Sequence, residues 1–191
     1  MVKMNKKIVA ILYGGRSVEH GVSINSARNI YDFIDREKFQ PITIGLSKTG
    51  KWFLTEGVSK EIEKGISVSL PTDPSEKYIL GEGKRYFLDF VFPVLHGTDG
   101  EDGSVQGLLT ALQLPFVGSG VLGSALAMNK TIAKQLLQVA GLPVAPFLNF
   151  SITDKDKIDF TLIREKFGLP FMVKSASLGS SIGVAKVDHV E

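Results

Sequence analysis

No cysteine occurs among the 191 residues, which excludes a disulfide framework and thiolate chemistry. Charge of one sign is nearly balanced by the other. Lys and Arg number 22 against 20 Asp and Glu, a net charge of +2. That balance gives no strong pull toward nucleic acid or a membrane surface. Long apolar runs are missing too. The run near the N-terminus, Ile8 to Tyr13, is too short for a signal-peptide core or a membrane span. A cytoplasmic protein is therefore expected. A Walker A sequence and an EF-hand loop are absent, and the loop after the first apolar run does not carry the dinucleotide-binding glycine spacing. There is no internal repeat and no low-complexity tract.

What is present is a globular composition, hydrophobic at 43%, in a chain long enough to bury a core without metals or disulfides. Lys7 to Tyr13 reads as a buried parallel strand that ends at Gly14-Gly15. Ser23 to Ile34 places Ile24, Ala27, Ile30, Tyr31 and Ile34 at helical spacing. Pro41 to Leu46 reads as a second strand, with a hairpin return at Lys51 to Leu54. Thr55 to Lys84 is mixed and polar and yields no organised reading. Tyr86 to Leu95 is again strand-like, with Pro93 marking the end of its ladder. Ser104 to Leu112 reads as a helix and Leu114 to Val117 as a short strand. Strand and helix in turn predict an α/β fold, an open, mostly parallel sheet flanked by helices. The character changes near Gly123, so 1–123 is expected as one domain and 124–191 as the beginning of a second. In the latter, Asn129 caps an amphipathic helix to Ala140, a helix lies near Thr161 to Phe167, and Phe171 to Val173 is a strand.

Three loops carry the chemistry. The first, Gly14 to Ser23, follows a strand end, where open α/β sheets bind ligands. Glu19 there either supports the start of a helix or holds a substrate ammonium. The second, His96 to Ser104, surrounds His96 with glycines ahead of a helix start, as an anion cradle would; His96 is otherwise a hydrogen-bonded structural histidine. His20 and His189 take the structural reading. In the third, Lys174 ends an apolar strand and glycine and serines follow. The lysine either meets an anion or snorkels to solvent.

Five blocks in order complete the reading: GGRSVEHGVS, HGTDGEDGSVQG, GLPFVGSGVLGSALAMNK, GLPVAP and FMVKSASLGSSIGV. Together they resemble the D-alanine–D-alanine ligases of the ATP-grasp superfamily over essentially the whole chain. The resemblance implies ATP-dependent joining of two D-alanines through an acyl phosphate, for peptidoglycan synthesis. It implies ATP and Mg²⁺ as cofactors and D-alanine as partner, without nucleic acid or membrane, and a homodimer. Glu19 matches the glutamate that holds the first D-alanine's amino group. Val22 lies against its methyl group and His96 near its carboxylate. Lys130 and Lys174 match two lysines that bind ATP phosphates. Ser180 matches an active-site serine that hydrogen-bonds toward the Glu19 position, and Gly179 and Ser181 belong to the same loop over the phosphates. Ser175 stands where the family often has proline, and Leu178 where many members are polar. No metal ligand falls in this sequence; the family's lie later in a chain about twice as long. The 191 residues are therefore expected to be incomplete and inactive alone. The rival readings are a non-catalytic small-molecule binding module and another ATP-grasp carboxylate–amine ligase.

Overall fold

A computed structural model describes residues 5–179 and 182–189. The chain divides into two compact units, Met1–Ala125 and Leu126–Glu191.

The first unit is built around β1 (Lys7–Gly14), which is followed by α1 (His20–Phe33) and β2 (Phe39–Leu46). Val9 through Tyr13 have no solvent exposure, the condition that makes a strand read as a continuous apolar run. Strand alternation sends Ala10 and Leu12 to one face, into a core with Ile44, Leu109 and Leu112. Ile11 and Tyr13 go to the other face and pack with Ile24 and Ala27 of α1. Four short strands follow: β3 (Trp52–Thr55), β4 (Ile66–Ser69), β5 (Tyr78–Gly81) and β6 (Lys84–Phe87). Then come β7 (Phe90–Pro93), α2 (Ser104–Ala111) and α3 (Val121–Met128).

Together the strands form a seven-stranded sheet in the order β6-β5-β4-β3-β2-β1-β7. β1 is parallel to both β2 and β7, which is the expected parallel centre. The segment without an organised sequence reading supplies most of an antiparallel extension, β3 to β6. Its four-residue strands are too short and too polar to announce themselves by periodicity. The stretch from Tyr86 to Leu95, expected as one strand, is two. β6 and β7 sit at opposite ends of the strand order, yet only Leu88 and Asp89 separate them. Phe87 to Phe90 can span at most about 11 Å, whereas six strand spacings in a flat sheet cover about 29 Å. The antiparallel strands therefore curl back over the sheet. Ile79 and Leu88 join Ala10 and Leu12 in one core as a result. The expected strand at Leu114 to Val117 is reduced to a single parallel bridge between Val91 and Phe116.

Asp89 holds the corner between β6 and β7. Its carboxylate accepts the N–H of Ile8 at 2.7 Å and the Lys7 ammonium at 2.9 Å.

The second unit contains α4 (Lys130–Val139), α5 (Phe160–Phe167), β8 (Phe171–Lys174) and β9 (Val184–Val187). Asn129 caps α4 as its sequence predicts, accepting the N–H groups of Thr131 and Ile132 at 3.1 Å each. Asp159 caps α5 in the same way. β8 and β9 form an antiparallel pair. No described residue from 126 to 189 is fully buried, and large apolar side chains such as Leu136, Val139 and Ile152 lie open. Among the described residues no helix is long and apolar enough to cross a membrane.

The Asp89 corner makes stability pH-dependent. The Lys7 ammonium, helped by the Ile8 N–H, holds the Asp89 carboxyl below its ordinary value of 3.8. A depressed folded-state pKa contributes stability that is complete above the unfolded value and lost as pH falls through the folded one. Asp89→Asn should therefore flatten the acid-side loss of stability, measured by urea unfolding from about pH 5 down to about pH 2.

Candidate functional site

Two loops leave the sheet at the carboxyl ends of neighbouring parallel strands, β1 and β7. Gly14 ends β1 at a φ of +90°, and a Cβ there would overlap the Leu46 carbonyl oxygen, so only glycine permits the turn. Ser23, fully buried on α1, then joins the two strand ends. Its hydroxyl accepts the Gly14 N–H at 2.8 Å and donates to the Val94 carbonyl.

Glu19 is buried at the start of α1, at 8% exposure. It makes no side-chain capping bond to the helix. Its carboxylate lies instead against the backbone of Gly97 in the second loop. A Cβ on Gly97 would overlap both the Glu19 carboxylate and the Ser17 hydroxyl, and Gly97 has a φ of +71°. The second loop thus approaches Glu19 through a glycine, where a larger residue would be strained by the positive φ and would have to displace the Glu19 and Ser17 side chains.

His96, just before that glycine, is held on two sides. Its Nε2 lies 3.0 Å from the Ser26 hydroxyl, and its Nδ1 lies 3.8 Å from a Glu101 carboxylate oxygen. The other Glu101 oxygen accepts the Gly97 N–H at 2.8 Å. Asp102 gathers the N–H groups of Asp99 and Ser104. Burial raises its pKa, but those donors outweigh burial and hold the carboxyl below the ordinary range. Arg16 crosses to Asp99 with contacts of 2.7 and 2.8 Å, pinning the first loop to the second. A cleft of about 230 Å³ opens beside them, lined in part by Arg16, Trp52, Leu95 and His96 but not by Glu19 or Val22. Val22 itself is half-exposed on α1.

Lys130, Lys174 and Gly179 belong to the second unit. The Lys130 ammonium donates to the Leu178 carbonyl, and its backbone N–H donates to the Ala176 carbonyl at 2.9 Å. Lys130 is thereby brought to the loop that follows β8. Lys174 is exposed at the end of β8. The loop is closed at its base by Ser175 N–H to the Gly183 carbonyl at 2.8 Å. Ser180 and Ser181 lie outside the described residues. Among the described residues no cluster of three or more His, Asp and Glu is placed to hold a metal ion.

Sequence reading passed over Ser23, Ser26 and the Arg16–Asp99 pair. A signal existed for the serines, since Glu19, Val22, Ser23 and Ser26 recur at helical spacing on one face of α1. The Arg16–Asp99 pair joins positions 83 apart and leaves no local pattern. The glycines at 118, 120 and 123 do have the dinucleotide-binding spacing. They follow an isolated bridge at Phe116 rather than a strand of a βαβ unit, which removes the context that the motif needs.

Ser23→Ala should cost about 1–3 kcal/mol, because it leaves a buried N–H and a buried carbonyl without their shared partner. Urea unfolding checks this. Asn25→Ala, at an exposed position of the same helix, serves as the near-neutral control.

Residues 8–119 match the family model described as D-ala D-ala ligase N-terminus, and residues 136–191 match the D-ala D-ala ligase C-terminus. A D-alanine–D-alanine ligase of Natranaerobius thermophilus is 45% identical, aligned over 98% of this chain and 55% of its own length. D-alanine–D-alanine ligase A of Escherichia coli is 39% identical over 98% and 56%. Among solved structures, the D-alanine–D-alanine ligase from Coxiella burnetii superimposes with a TM-score of 0.86 at 32% identity, over 96% of this chain and 57% of that one. The VanG D-Ala:D-Ser ligase from Enterococcus faecalis gives 0.84 at 32% identity, over 97% and 57%. The chain spans about half the length of the curated relatives it matches. With the family's N-terminal and C-terminal models matched in order, the chain belongs to the D-alanine–D-alanine ligase family.

Proposed function

We propose that this chain provides the first-substrate site and part of the nucleotide site of an ATP-dependent, ADP-forming D-alanine–D-alanine ligase acting in peptidoglycan synthesis. The observation that carries the reading is the corner at the ends of β1 and β7. A buried carboxylate, Glu19, and an imidazole, His96, flank Gly97 there. One suits the ammonium and the other the carboxylate of a small amino acid. Val22, on the same face of α1, is assigned on this reading to the methyl group of the first D-alanine. Residues 1–123 form the substrate-binding domain on this reading, and 124–191 begin the ATP-grasp domain.

A carboxylate is a poor electrophile. An oxygen of the first D-alanine's carboxylate attacks the γ-phosphorus of ATP, the bond to the β-phosphate oxygen breaks, and ADP leaves. The amine of the second D-alanine, having lost a proton, attacks the carbonyl carbon of the acyl phosphate. Phosphate departs with the bonding pair and carries off the proton that the attacking nitrogen sheds, leaving D-alanyl-D-alanine. Lys130 and Lys174 suit the ATP phosphates. The Lys130 ammonium, on the Leu178 carbonyl, stands at the loop that follows β8, and on this reading Gly179, Ser180 and Ser181 of that loop take part in phosphate binding. Mg²⁺, when bound, supplies charge neutralisation on the transferred phosphoryl group. A cytoplasmic homodimer fits the same reading.

Titration calorimetry separates this reading from a non-catalytic binding module. The ligase reading expects both D-alanine and ATP to bind. D-alanine binding without ATP binding favours the module, and binding of other amino acids in place of D-alanine favours a different carboxylate–amine ligase. Glu19→Gln should weaken D-alanine affinity by about 1.5–3 kcal/mol, roughly ten- to a hundred-and-fiftyfold. Lys174→Ala should weaken ATP affinity by about 2–4 kcal/mol. Unchanged affinities in these variants would remove both assignments.

A further inference from the structure

We propose that Ser26 is a positioning residue that clamps the imidazole of His96, and that Glu101 sets which ring nitrogen carries the proton. Ser26 stands on the face of α1 that carries Glu19 and Val22, seven residues after the first and four after the second. His96 arrives from a different strand end, 70 positions away, and its Nε2 meets the Ser26 hydroxyl at 3.0 Å. The ring is therefore docked on the helix that presents Glu19. Its distance from that carboxylate is set by helix geometry instead of by the freedom of a glycine-rich loop.

Glu101 completes the clamp from the opposite side. One oxygen is committed to the Gly97 N–H at 2.8 Å. The other lies 3.8 Å from Nδ1, too long for a hydrogen bond but close enough to act by charge. A carboxylate on that side disfavours a lone pair on Nδ1 and favours Nδ1–H. Nε2 is then left as the acceptor for the Ser26 hydroxyl. Because Glu101 also holds the backbone of Gly97, the glycine against which Glu19 packs, one residue couples the proton position on His96 to the fit of the loop at Glu19.

The functional weight of this clamp rests on His96 facing the first substrate, and the two ideas are tested separately. Long-range ¹H–¹⁵N spectra of the 191-residue chain report histidine tautomers directly. At about pH 9, where imidazoles are generally neutral, His96 is expected mainly as the Nδ1–H form. Ser26→Ala removes one neutral hydrogen bond and should change the His96 tautomer ratio roughly two- to tenfold. Ser26→Thr, which restores a hydroxyl, should bring the ratio back. Glu101→Gln should shift it in the same direction as Ser26→Ala. His20, whose Nδ1 lies 2.7 Å from the Gly15 carbonyl, serves as the internal control for an intact fold. An unchanged His96 ratio in Ser26→Ala, with the His20 signals also unchanged, overturns the clamp. Addition of D-alanine addresses the substrate reading alone: it should move the His96 ring signals in the unsubstituted chain, and their indifference would defeat that reading without altering the tautomer result.

Discussion

The hydroxyl of Ser23 is the point on which the candidate site depends. Two parallel strands run out beside each other, and where they end each leaves a backbone group buried beyond the ladder. Ser23 satisfies both, one as acceptor and one as donor. A buried polar group left unpaired costs free energy comparable to a lost hydrogen bond, so the first turns of both loops are held to this side chain. α1 is fixed by the same contact, because Ser23 lies on its first turns. Everything that gives the corner its chemistry follows from where α1 starts: the burial of Glu19, the approach of Gly97 and the seat of His96 on Ser26.

The second loop is organised by carboxylates rather than by packing. Glu101 holds the Gly97 N–H, and Asp102 holds those of Asp99 and Ser104. Acceptors inside a glycine-rich loop convert flexible backbone into a fixed shape while leaving little side-chain bulk over the site. Arg16 adds a crossing between the two loops that depends on a full charge pair. Both partners are substantially exposed, so its energetic contribution is small and its effect is to restrict the loops' relative positions.

The two units differ in how their sequences are used. In the first, β1 is covered on both faces, and the sheet curls so that its antiparallel strands help to close one of the cores. In the second, good local signals produce capped helices and a strand pair, but no described residue is fully buried. Local hydrogen bonding defines those elements without the apolar burial that makes a core. The large exposed side chains of α4 and β8 belong to faces that local structure alone cannot cover.

Taken alone, the sequence determined what short-range physics controls. It specified β1 through a continuous apolar run, α1 and α4 through helical spacing, the Asn129 cap, and the strand ends at Gly14 and Pro93. The five motif blocks, in their order along the chain, also pointed to the family. Tertiary structure alone decided the rest. The short strands β4 and β5 had no sequence reading, whereas β3 was expected as the hairpin return of β2, and the antiparallel order of the extension is tied to the curl that lets β6 pass to β7 through Leu88 and Asp89. Glu19 appeared in the sequence as a carboxylate that either supports a helix start or holds a substrate ammonium, and only the fold brought it against Gly97. His96 appeared as an isolated histidine, and only the meeting of α1 with the second loop supplied Ser26 and Glu101. Contacts between residues 70 or more positions apart are set by packing and backbone hydrogen bonding, and no local pattern records them.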